Sequence, residues 1–263
     1  MKEWLKITLW SIFGVLVISL LFISQSHEKK VITKLPTLNI HEHPGMSFLS
    51  KKELITKLKK ARLWNKNMIV DSLKINKIET YISQLNVVDS VNVYSKLGGN
   101  WEIDIQIRRP IVRVLPSTNS GFYLDEKGEA MELSDFPAHV LIATGLDDLK
   151  RQNISYQNII NNDSLITISK VDDLYRISKY VCNSTFFNAL FTQMHFDKDK
   201  GFILIPRVGN QEIIFGLAKN EKEVKTKFNK LKVFYKEVIP YEGWDKYQSI
   251  DLRFDKQIVG KKN

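Results

Sequence analysis

The chain has 263 residues, 43% of them hydrophobic, with 7 prolines and 12 glycines; this excludes a disordered protein or a long flexible linker and suits one large domain or two small ones. Cys182 is the single cysteine, so no intrachain disulfide can form and a disulfide-stapled small fold is excluded. The formal net charge of +10 favours acidic partners or anionic surfaces, but the basic residues are spread along the chain without an aromatic-basic nucleic-acid motif, as on an ordinary lysine-rich surface.

Residues 7–26, ITLWSIFGVLVISLLFISQS, contain no charged side chain. About 20 helical residues span ~30 Å, the thickness of a bilayer's hydrocarbon core, so this run predicts a transmembrane helix after a cytoplasmic tail at 1–6. The alternative is a cleaved signal peptide, whose apolar stretch is roughly 7–15 residues. This run is longer, although Ser24-Gln25-Ser26 offers a weak cleavage match. Lys2 and Lys6 before the run and Lys29, Lys30 and Lys34 after it nearly cancel any charge bias. The long C-terminal part is expected outside, since large domains translocate despite flanking charge.

The segment 31–40 is apolar with a proline and reads as an edge strand. Ser50 and Glu53 have capping-box spacing, followed by Leu54, Ile55, Leu58 and Ala61 at helical intervals. A second helix is expected over 76–85, capped by Asn76 with Glu79 and carrying the stripe Ile75, Ile78, Ile82 and Leu85. Val91 and Val93 alternate with polar residues, Gly98-Gly99-Asn100 turns the chain, and Trp101, Ile103, Ile105 and Ile107 alternate again. That is a hairpin with one buried face. The order strand, helix, helix, strand, strand makes a small α+β layer. Pro110 ends regular pairing, so Arg108-Arg109-Pro110 should mark a change of sheet. The arginines read as an anion site or, more simply, as a solvated strand end or interdomain ion pair.

An N-terminal anchor, this βααββ unit and the run Arg108-Arg109-Pro110-Ile111-Val112-Arg113 resemble the FtsQ (DivIB) family of bacterial division proteins, in which the unit after the membrane span is a POTRA domain. The stretches 121–128 (GFYLDEKG) and 139–145 (HVLIATG) are similar to strands of the family's second domain.

Beyond Ile111 the pattern is mostly short strands, at 111–115, 122–125, 140–144, 192–197, 202–206, 212–215 and 249–254, with turns at 125–128 and 197–201. Helices are expected over 171–181 and 222–238, the latter capped by Asn220 with Glu223 and burying Val224, Phe228, Leu231, Phe234 and Val238. An enzyme finds little support. His27, His41, His43, His139 and His195 are scattered, and His41-x-His43 has no third ligand. Cys182 lacks a nucleophile signature and reads as a small buried thiol; Asp172-Asp173 suits a helix start. No metal, cofactor or catalytic residue is assigned.

The run 247–255, YQSIDLRFD, alternates. As a last strand it is either a sheet edge open to another chain or an ordinary paired strand whose Ile250, Leu252 and Phe254 fill the core. It resembles the DLRY strand of FtsQ proteins, which adds a strand from the partner FtsB. That resemblance implies partner binding through Ser249, Ile250, Leu252, Arg253 and Phe254, with Phe254 in place of the motif's tyrosine and Arg253 available to an acidic side chain. The continuation at 255–262 departs from the family's Gly-rich turn and apolar end.

The expected fold is therefore α+β: a single N-terminal transmembrane helix at 7–26, a POTRA-like βααββ domain at 31–109, a mainly antiparallel β-rich domain with packed helices at 110–259, and a basic tail at 260–263. The resemblance implies a non-enzymatic, single-pass inner-membrane protein of the division septum, its domains periplasmic, binding FtsB-like and FtsL-like membrane proteins and through them septal wall synthases. No nucleic-acid partner is expected. A membrane-anchored cell-envelope enzyme and a POTRA-bearing envelope assembly factor are the competing readings.

Overall fold

Helical and strand periodicities alternate along the chain, and the computed structural model resolves them into two compact units, 1–42 with 48–107 and 43–47 with 108–263. It describes residues 2–116, 121–133, 138–146, 160 and 170–263.

The first unit opens with α1 (Lys2–Lys29), whose described side chains are almost all exposed, Leu21 at 65%. Among the described residues no helix is long and apolar enough to cross a membrane. This finding overturns the transmembrane helix expected at 7–26. The side chains of Ser24-Gln25-Ser26 and His27 lie outside the described residues.

β1 (Thr37–His41), α2 (Lys51–Lys60), α3 (Ile75–Ser83), β2 (Val88–Ser95) and β3 (Trp101–Ile107) realise the βααββ order. β3 is central, parallel to β1 and antiparallel to β2. Ser50 caps α2 by accepting from the Glu53 N–H at 3.1 Å, but Glu53 pairs with Lys57. The expected cap at Asn76 is not used: α3 starts one residue earlier, and Glu79 accepts from the Val93 N–H instead. Leu54, Leu58, Ile78, Ile82, Ile103 and Ile105 are fully buried. Trp64 and Trp101 pack with ring centroids 6.1 Å apart, each indole N–H satisfied, by the Thr33 hydroxyl and the Lys34 carbonyl respectively. Glu102 on β3 is held by Asn39 and Lys96.

In the second unit Pro110 occupies the first position of β4 (Pro110–Val114), where its missing N–H costs little. β5 (Phe122–Asp125), β6 (Ala130–Met131), β7 (Leu141–Thr144), α4 (Val171–Cys182), α5 (Thr185–Leu190), β8 (Phe191–Asp197), β9 (Gly201–Pro206), β10 (Glu212–Gly216), α6 (Glu221–Glu237), α7 (Ile239–Glu242), β11 (Tyr247–Asp251) and β12 (Val259–Lys262) follow. They form one nine-stranded sheet, ordered β12-β11-β10-β9-β8-β7-β4-β5-β6. Pairing is mostly antiparallel, with parallel pairs at β4–β7, β7–β8 and β10–β11. An aromatic cluster binds the helices to the sheet: Phe228 of α6 lies 4.5 Å from Tyr180, 4.7 Å from Phe187 and 4.9 Å from Phe215 by ring centroid.

Arg108 is not a solvated strand end. It is buried within the second unit, its Nε 2.8 Å from Asp125, which also accepts from the N–H groups of Lys127 and Glu129 in the β5–β6 turn. Arg109 reaches Glu126 and the Cys182 sulfur. Removing one member of a buried pair strands the other charge, at a cost of about 3–5 kcal/mol. Arg108→Ala should lose stability of that order in urea titration, whereas Lys200→Ala, which breaks an exposed pair with Glu212, should lose under ~1 kcal/mol. Equal losses would mean that Asp125 holds its turn without the arginine.

Candidate protein-docking site

β10, α6 and β11 form a parallel crossover. Asn220 starts α6 by accepting from the Glu223 N–H at 2.9 Å, while Glu223 accepts from the Lys219 N–H and pairs with Lys227. The helix lays Val224, Phe228, Leu231 and Phe234 into the core and returns the chain beside β10 in the register Glu212↔Ser249, Ile213↔Ile250, Ile214↔Asp251. The Leu252 N–H still bonds the Ile214 carbonyl at 2.9 Å. Gly216 ends β10 with φ +76, and a side chain there would meet the stem of Arg253 at 2.7 Å, so glycine is required for Arg253 to lie where it does.

The residues expected to bind a partner divide into two groups. Ile250 and Leu252 are fully buried and belong to the core. Ser249 is half-buried, and Arg253 and Phe254 face outward, the phenylalanine 46% exposed. The strand expected over 249–254 ends at Asp251 and is not the edge. β12 covers it in antiparallel register, Asp251↔Val259, Ile250↔Gly260, Ser249↔Lys261. Gly260 lets this strand lie flat, since a Cβ there would strike the Tyr247 ring at 2.7 Å. All four residues of β12 are exposed, and its outer side is one end of the sheet. Sequence reasoning took 260–263 for a basic tail. Val259 beyond the turn-forming 255–257 was the available signal, too short to stand against the lysines.

Between the two strands, Lys230 of α6 donates to the carbonyls of Phe254 at 2.5 Å and Asp255 at 3.3 Å, fixing the turn from which Phe254 projects. Burial, with Lys227 nearby, pushes the Lys230 ammonium below its usual range. Arg253 folds back on Asp251, Nε at 3.0 Å and Nη2 at 2.7 Å; its Nη1 has no acceptor among the described residues. Burial would raise the Asp251 carboxyl, but the hydrogen bonds and charge of Arg253 outweigh it and hold the group below the usual carboxylate range. The turn after β11 thus leaves the Phe254 ring and part of the Arg253 guanidinium exposed, and β12 beyond it ends the sheet.

Burial pushes the Cys182 thiol up despite Arg109, which keeps it protonated at neutral pH. His41 faces Asp104 at 3.0 Å. Among the described residues no group of three His, Cys, Asp or Glu side chains is placed to hold a metal ion. Asp172 and Asp173 sit in the first turn of α4 as expected, but buried: Arg176 reaches Asp172 at 2.7 Å and the Ala218 carbonyl at 3.0 Å, and Asp173 accepts from the Ala218 N–H.

The chain is thus two α+β units, the second ending in a strand that closes one end of its sheet. Residues 33–106 match the family model of the POTRA-like domain, and residues 109–261 match the one described as FtsQ/DivIB, C-terminal related. The second match covers more than half of the chain, which therefore belongs to the FtsQ/DivIB family, a family of non-catalytic division proteins. No curated protein matches the chain. Membership implies a cell-division role at the division site, exercised through protein–protein contacts.

The Asp251–Arg253 pair carries a pH signature. A carboxyl held below its usual range stabilises the fold fully above its unfolded pKa and loses that contribution as pH falls through the lower folded value. The melting temperature of the parent should therefore approach that of Asp251→Asn on acidification from neutral pH toward 3, the gap being widest above the ordinary carboxylate range. A gap unchanged across the titration would show that Asp251 contributes through shape and not through charge.

Proposed function

We propose that the chain is a non-enzymatic scaffold of the division septum that binds an FtsB-like partner, and with it an FtsL-like protein, to connect them with septal wall synthesis. The reading rests on one observation, the outer side of β12, which has no neighbouring strand among the described residues and follows the turn that carries the exposed Phe254 and Arg253. A partner segment adds as a further strand along Val259–Lys262, its backbone pairing with the open edge. The Phe254 ring takes an apolar side chain and Arg253 Nη1 an acid. Ile250 and Leu252 serve from beneath, by holding β11 in place, and Ser249 lies where β11 is covered by β12.

The two units act as separate domains, roughly 31–109 and 110–259, so limited proteolysis should cut near 108 before it cuts inside either one. A fluorescent fusion should gather at midcell in dividing cells. Phe254→Ala should weaken binding of an FtsB-like segment by ~2 kcal/mol or more, about 30-fold, in titration calorimetry, with little change in melting. Leu252→Ala should instead cost ~2–5 kcal/mol of fold stability. A folded Phe254→Ala variant that binds normally places the interface elsewhere, and a diffuse fusion removes the septal role.

A further inference from the structure

The second unit has another concave surface, on the flank of α6 away from Lys230. It is a cleft of about 590 Å³ between α4 and α6, closed at one end by the start of α5. α4 contributes Arg176, Lys179 and Tyr180, with Asn183 at its C-terminal cap, and α6 contributes Glu221, Val224, Lys225 and Lys232. Its floor is apolar. Tyr180 stacks on Phe228 with planes 3° apart, Val224 is buried beside them, and Phe186 at the closed end is 40% exposed and packs edge-on against Tyr235.

The rim is cationic. Arg176 is committed to Asp172 and the Ala218 carbonyl, and Lys179 donates to the Tyr175 hydroxyl at 3.0 Å. Lys225 and Lys232 are exposed and have no ion-pair partner among the described residues. Glu221 is the single carboxylate on the lining among the described residues. From Glu221 to Lys232 the helix runs ~16 Å, the span of about five extended residues.

We infer that this groove binds an extended acidic peptide segment carrying one aromatic or aliphatic anchor, from a partner protein, independently of the C-terminal edge. The anchor rests on Tyr180 and Phe186 while acidic neighbours meet Lys179, Lys225 and Lys232. A nucleic-acid backbone or a lipid headgroup layer would use the lysines and leave the recessed aromatic floor without a function.

The test is fluorescence anisotropy on the full chain with a short fluorescein-labelled peptide of glutamates around one phenylalanine. The parent should bind it, more weakly as salt rises. Lys225→Glu with Lys232→Glu should lose about tenfold or more, and Phe186→Ala severalfold. Lys236→Glu should bind as the parent does, with melting curves confirming that all variants fold. Absence of binding, or equal affinity for the double variant, overturns the inference. So does equal affinity for an all-glutamate peptide, or displacement of the peptide by anionic vesicles through the same lysines. Loss in Phe254→Ala alone would show the peptide reading the C-terminal edge, and would remove the groove while leaving the edge assignment standing.

Discussion

An open sheet always keeps two rows of backbone N–H and C=O groups without ladder partners. In the second unit those rows lie on β6 and β12. β6 has two residues and templates little, whereas β12 has four, all exposed, and follows a chain that has just crossed over from β10. The rest of the C-terminal surface follows from that constraint. Once β12 returns along β11, Ile250 and Leu252 have neighbours on every side and become core. The chain must leave the sheet after Leu252 to make the return, so Phe254 comes out on the turn and Lys230 ties its carbonyl to α6. Lys261 and Lys262 put charge on the edge, one of the ways exposed strands discourage indiscriminate pairing.

The buried charges serve the same architecture. Asp125 organises the β5–β6 turn and is neutralised by Arg108; Asp172, Asp173 and Arg176 clamp the backbone of Ala218, between β10 and α6. Burial pushes the Asp173 carboxyl above its usual range, against the Ala218 N–H that it accepts from. Asp125, Asp173 and Arg176 each have loop backbone among their partners, which is how polar atoms become tolerable inside a domain. The loop held at Ala218 leads directly into the cap of α6, and α6 positions both the C-terminal edge on one flank and the cationic groove on the other.

Much of this was legible where one periodicity ran uninterrupted. The alternation from Trp101 to Ile107, the cap and stripe of α6 and the break at Pro110 all appear where expected, because each depends on local geometry and one buried face. α3 differs by its cap, since Glu79 is drawn to the Val93 N–H of β2, a tertiary contact invisible in spacing. Arg108 was misread for a similar reason: its partner lies 17 residues on, inside a turn. At the site, alternation correctly placed Ile250 and Leu252 on one face but could not say that a further strand follows. β12 is short, contains a glycine and two lysines, and is held by pairing and by the Tyr247 ring over Gly260, none of which leaves a periodic trace. The uncharged run at 7–26 suggested a membrane span from composition alone, but among the described residues no helix is long and apolar enough to cross a membrane.

The central claim is that the outer side of β12 is where a partner strand adds. Amide hydrogen exchange, followed residue by residue with and without the FtsB-like segment, tests it most directly. The account predicts new protection at alternate amides of 259–262, with β11 amides already slow in the free protein because β10 and β12 flank them. Unchanged exchange along 259–262 together with protection elsewhere in the second unit would contradict it.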